Sequence, residues 1–217
     1  MKYLALSLLC LGLLSACGGE NTTPSAISAP ATSTPQAENS AAVYLKRRSD
    51  TPPYTINEKG IVQFGSLKDM FDTFGDYDAD GQLKINSPTD VSIAEFLPKT
   101  ASKDDITAAA NKALIYAVYH AFAYTNLDKI TVRSAPMDME TSKPLMSKPL
   151  QATVSRERAL EVLKKYSAAQ SFDDLVELNP SYTNRITGLS SSNFYEAFAY
   201  DSAHQKEIVQ ALTAPTK

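Results

Sequence analysis

The sequence predicts an α+β fold: a small antiparallel or mixed sheet with a central buried helix, followed by a helical C-terminal third. Three observations predict it. Short β-branched and aromatic runs recur between residues 54 and 97, with turn residues between them. The stretch from 103 to about 125 reads as one long helix, apolar nearly all round from Ala113 onward, with alanines at 108, 109, 110, 113, 117, 121 and 123. A helix that apolar is buried, and its small side chains let a sheet approach closely. Beyond residue 153 the apolar positions return at helical spacing.

Taken in order, Tyr54-Thr55-Ile56-Asn57 and Ile61-Val62-Gln63-Phe64 read as strands joined by Glu58-Lys59-Gly60, a hairpin connection with Gly available for a positive φ. Ser66 is placed to cap a short helix with Leu67, Met70, Phe71 and Phe74 at helical spacing. Leu83 to Asn86 and Val91 to Leu97 read as two strands around the turn Ser87-Pro88-Thr89-Asp90. Ser102 and Asp105 resemble a capping box, and open the long helix. Lys129 to Val132 is a β-branched strand able to pair beside it, so the sheet should carry this helix across one face.

In the last third, Thr153 or Ser155 starts a helix with Ala159, Leu160, Leu163 and Tyr166 on one face. Ser171 with Asp174 caps a short helix that stops at Asn179-Pro180. Further helices fit Asn193 to Tyr200 and Ser202 to Leu212, the latter with Ile208 and Leu212 facing the core. Residues 135–152 have no secondary-structure period and carry Ser-Lys-Pro-Leu twice, at 142–145 and 147–150. They are expected to form an exposed extended loop. Its Met137, Met139, Pro144, Leu145, Met146, Pro149 and Leu150 are the candidate partner-binding residues.

The N-terminus carries a different kind of signal. Lys2 is followed by the apolar run Tyr3 to Leu14, then by Ser15 and Ala16. That run is shorter than the roughly 20 residues a membrane span needs. Leu14-Ser15-Ala16-Cys17, with Gly18 after it, resembles the lipobox of bacterial lipoproteins. The resemblance implies that residues 1–16 are a signal peptide, cut off before Cys17, and that Cys17 becomes an acylated, palmitate-type membrane anchor. Each buried lipid methylene contributes about 0.8 kcal/mol, so the two or three chains such proteins carry hold permanently. Cys10 would leave with the signal, so the mature chain could form no disulfide. In this family an aspartate after the cysteine causes inner-membrane retention. Gly18 stands there, so the expected address is the outer membrane, with the folded domain in the periplasm or at the cell surface.

From Glu20 to Ala42 nearly every residue is Ser, Thr, Ala, Pro, Asn, Gln or Glu, and Ile27 alone is large and apolar. Such a segment cannot bury enough surface to offset its chain entropy. Residues 17–42 therefore read as a lipidated cysteine and a disordered tether with a reach of about 25–30 Å. Residues 43–217 are the size of a single α+β domain.

The formal charge of −3, one unit more negative without Lys2, argues against nucleic acid as a partner, because phosphate binding needs a basic face. Catalytic motifs are absent: there is no Gly-x-Ser-x-Gly elbow, Gly-rich phosphate loop or His-Glu-x-x-His helix among 217 residues with two histidines. Tyr116, His120 and Tyr124 form one stripe on the long helix. Two readings apply to it: a proton-transfer or ligand face, or packing with the histidine bonded to a neighbour. No acidic residue, cysteine or second histidine shares the stripe to complete a metal set, which favours packing.

Asp76-Tyr77-Asp78-Ala79-Asp80-Gly81 resembles the front of an EF-hand calcium loop. Asp76, Asp78 and Asp80 would supply hard oxygens and Gln82 its carbonyl, while Gly81 makes the turn. The departures are Lys84 at the ninth position, Ser87 in place of the closing glutamate, and a strand rather than a helix afterwards. Asp90 or Glu95 would have to fold back to complete the shell.

The leading functional expectation is a membrane-anchored envelope lipoprotein acting as a non-enzymatic binding or accessory module for another envelope protein. Its partners are then the lipid bilayer, through acylated Cys17, and that protein. The alternatives are a calcium-stabilised or calcium-sensing domain, with calcium as its cofactor, and an envelope hydrolase.

Overall fold

A computed structural model describes residues 38, 40–176, 178, 189 and 202–214. The signal at 1–16, Cys17, most of the tether, the stop at Asn179-Pro180 and the helix expected at 193–200 lie outside these residues.

The fold is α+β, and it starts earlier than composition indicates. Helix α1 (Ser40–Leu45) buries Ala41, Ala42 and Leu45 in the core, so ordered packing begins ahead of Val43. Alanines that look like tether composition are small enough to pack at a close contact. Strands β1 (Tyr54–Ile56) and β2 (Val62–Phe64) form the expected antiparallel hairpin, with Tyr54 opposite Phe64. Gly60 turns it at φ 78°, and the Asn57 side-chain oxygen accepts the N–H groups of Lys59 and Ile61. Helix α2 (Leu67–Phe74) is capped by Ser66, whose hydroxyl accepts the Asp69 N–H, and ends at Gly75 in the left-handed region.

Strands β3 (Leu83–Ser87) and β4 (Asp90–Ile93) form the second hairpin. The strand expected to run on to Leu97 breaks at Ala94-Glu95. Its end, β5 (Phe96–Leu97), pairs in parallel with β7 (Met137–Asp138) instead. Helix α3 (Lys103–Tyr124) follows, with both halves of the Ser102–Asp105 capping box formed. Strand β6 (Lys129–Ser134) then pairs in parallel with β4 and antiparallel with β8 (Leu150–Ser155). The result is a mixed sheet of order β3-β4-β6-β8.

Side chains alternate across this sheet. Val91, Ile93, Ile130, Val132, Ala152 and Val154 are buried on the face that α3 covers. The opposite face carries one row in register, Lys84-Ser92-Arg133-Gln151. Two expectations for residues 135–155 need correction. The segment is not unstructured: it contributes β7, and the buried Asp138 carboxylate fixes its turn by accepting the N–H groups of Glu140 and Thr141. Of the two helix starts expected, Thr153 lies in β8, and Ser155 is the cap after which α4 (Arg156–Tyr166) begins.

The C-terminal elements pack on α3. A 3₁₀ turn, Phe172–Leu175, and helix α5 (Ser202–Thr213), which buries Ile208, Val209 and Leu212, both touch it. Arg156 closes the C-terminal end of α3: its guanidinium donates to the carbonyls of Phe122, Thr125 and Leu127 and lies over the rings of Phe122 and Phe172. Carbonyls left over at a helix end thus gain charged donors.

Candidate functional site

The acidic loop leaves α2 through Gly75 (φ 66°), and Tyr77 also takes a left-handed backbone (φ 56°), which is uncommon for a bulky residue. That turn brings the Tyr77 ring against Tyr116, with centroids 5.8 Å apart. It also turns Asp76 inward. The Asp76 carboxylate accepts a hydrogen bond from the Tyr116 hydroxyl, and its Oδ2 stands 3.5 Å from Nδ1 of His120. Burial pushes the Asp76 carboxyl above the usual carboxylate range; the Tyr116 bond pulls it down, and the charge of Asp78 pushes it up.

His120 is fully buried. Phe74, Tyr116, Tyr124 and Phe71 surround it at centroid distances of 4.6, 4.7, 5.1 and 5.9 Å. Neither ring nitrogen makes a hydrogen bond among the described residues. Burial pushes its pKa down to about 3, so the imidazole is neutral at pH 7. The stripe does pack, but its histidine is not bonded to a neighbour. The carboxylate that the stripe itself lacks comes from the loop.

The inward-turned Asp76 is the first residue of the EF-hand-like loop. Among the described residues, no group of three or more His, Cys, Asp and Glu side chains is placed to hold a metal ion. The Gln82 carbonyl, the expected seventh-position ligand, accepts the Ala94 N–H at 2.8 Å. Asp72, Asp76, Asp78 and Asp80 instead line an open pocket of about 420 Å³.

A second pocket, of about 330 Å³, lies where the outer sheet face meets residues 135–149. Ser92, Ala94 and Ala135 line it on the sheet side, and Met137, Pro144, Met146 and Pro149 on the other. Four of the seven candidate partner-binding residues are therefore gathered in one groove; Met139, Leu145 and Leu150 are not part of it. Met139 is 59% exposed elsewhere. Arg133 at the groove is paired with Asp90, whereas Lys84 makes no ion pair among the described residues. The sequence offered no sign of Lys84 or Arg133 as groove residues, because strand register alone brings them to the Met-Pro wall.

Among the described residues no helix is long and apolar enough to cross a membrane. No protein-family model, curated protein or solved structure matches the chain.

Proposed function

We propose that this chain is a lipid-anchored envelope lipoprotein whose domain binds an extended segment of another envelope protein and performs no chemistry on it. One observation carries the reading: the groove of Met137, Pro144, Met146 and Pro149 beside the outer face of the sheet. Its volume of about 330 Å³ lies at the low end of the range of ligand pockets, about 300 to 1,000 Å³, and is enough to take apolar side chains of a bound segment. Methionines adapt to varied shapes, and prolines hold an extended wall with little entropy left to lose. Lys84 adds a cation able to meet a carboxylate on the bound segment. The lipobox-like Leu14 to Cys17 supplies the anchor, and a tether of about 25–30 Å sets the working radius of the domain.

The test uses intact cells. A photo-crosslinking residue at Met146 should give one discrete adduct with another envelope protein, weakened by Lys84→Glu, while the same residue at exposed Thr153 gives none. An adduct of two copies of this chain, or none at position 146, would overturn the binding reading. Separately, Cys17→Ala should abolish labelling by a fatty-acid analogue and move the domain into the soluble fraction. Unchanged membrane fractionation without lipid on the mature N-terminus would overturn the anchor.

A further inference from the structure

We propose that Asp76, which lines the acidic pocket, and His120, buried behind it, are the protein ligands of a zinc-type divalent metal site. The inference is independent of the groove and differs from an EF-hand in ligands and in metal class. It starts from an anomaly, because buried polar groups almost always have a partner. His120 has two ring nitrogens without a hydrogen-bond partner among the described residues, in a fully buried ring.

Distance says which partner fits. The 3.5 Å from Nδ1 to the Asp76 oxygen is too long for a good hydrogen bond. Two ligand atoms each about 2.0–2.1 Å from a tetrahedral ion stand roughly 3.3 Å apart, close to what the structure holds ready. Metal ligation also needs a neutral imidazole and an ionised carboxylate. The Tyr116 hydroxyl, bonded to the same carboxylate, fixes its orientation, as outer partners of metal ligands do.

The other side of the site is wet. Asp76 is partly exposed to the pocket that Asp72, Asp78 and Asp80 line, so the local potential draws in cations. Two protein ligands leave the remaining positions to water, and the charge of Asp78, which acts on Asp76, adds to the attraction for a cation. The class of ion follows from the donors. Imidazole nitrogen suits zinc, cobalt and similar ions, and calcium and magnesium prefer oxygen alone.

The full chain, stripped of metal, is titrated with cobalt(II) and then zinc(II). Cobalt should give a visible ligand-field band that zinc displaces, and zinc should raise the melting temperature. Asp76→Asn keeps the shape and the Tyr116 bond, and should weaken binding about tenfold or more. On wild-type protein, the ¹⁵N resonances of the His120 ring should move with zinc; this decides the matter even if the variant folds poorly. Absence of a cobalt band, or a band that survives Asp76→Asn, would overturn the site. So would calcium stabilising the protein while zinc leaves the His120 resonances still, which would restore the oxygen-only loop.

Discussion

Acidifying the metal-free protein from pH 7 to pH 5 should cost it about 2 kcal/mol, through His120 alone. The sign follows from proton counting. Burial lowers the folded-state pKa from 6.5 to about 3. Between those values the unfolded chain binds the proton and the folded chain does not, so stability falls as pH falls. The slope approaches about 1.4 kcal/mol per pH unit, and integration from pH 7 to pH 5 gives about 2 kcal/mol. That is a large share of the roughly 5–15 kcal/mol a domain has.

The groups around the ring leave this window clear. Phe71 and Phe74 do not titrate, and burial pushes the Tyr124 hydroxyl upward, so it stays neutral. Asp76 works in the opposite direction: its raised carboxyl takes up a proton more readily in the folded state and offsets part of the loss at the acid end. Asp90, Asp105, Asp138 and Asp174 are held low, and the stability they contribute is lost only below about pH 4. Urea unfolding at pH 7 and pH 5, with chelator present, measures the difference. His120→Leu removes the proton site and makes no demand for a partner, so its stability should change little between the two pH values. Equal pH dependence in wild type and variant would refute the reasoning.

Arg156→Met should cost about 2–4 kcal/mol in urea unfolding, because three carbonyls in the last turn of α3 and just beyond it lose their charged donor. Arg156→Lys should recover less than half, since one ammonium cannot span them; a loss below 1 kcal/mol for the Met variant would remove the capping role. Ser102→Ala breaks the capping box and should cost about 1 kcal/mol by the same measurement. Limited proteolysis should leave a core whose mass begins at or before Ser40, because Ala41 and Ala42 are buried. Early cuts between 41 and 50 would contradict the packing of α1.

What the sequence made legible was local. Ser66 and Ser102 announce their helices because a cap and its partner lie three residues apart. The buried face of α3 shows in its alanines for a similar reason. Strand β8 was missed, although Ala152 and Val154 alternate with polar residues, because only pairing with β6 distinguishes it from a helix start. Parallel pairing with Phe96-Leu97 likewise orders Met137-Asp138, forty residues away. The candidate site divides in the same way. The acidic loop and the Tyr-His-Tyr stripe were each visible in one stretch of chain. Their meeting depends on the left-handed turn at Tyr77, which no residue preference announces. The groove wall was legible as composition, and its floor was not.

The parallel contact between β4 and β6 governs how the molecule assembles. Each hairpin, β1 with β2 and β3 with β4, joins neighbours along the chain and closes a short loop. The pairing of Asp90 with Thr131 can form only after some forty residues have been gathered, α3 among them. Closing that loop costs entropy before any contact repays it. The helix and the sheet must therefore be gathered together before that pair can form, so no part of β4, α3 and β6 completes its packing alone.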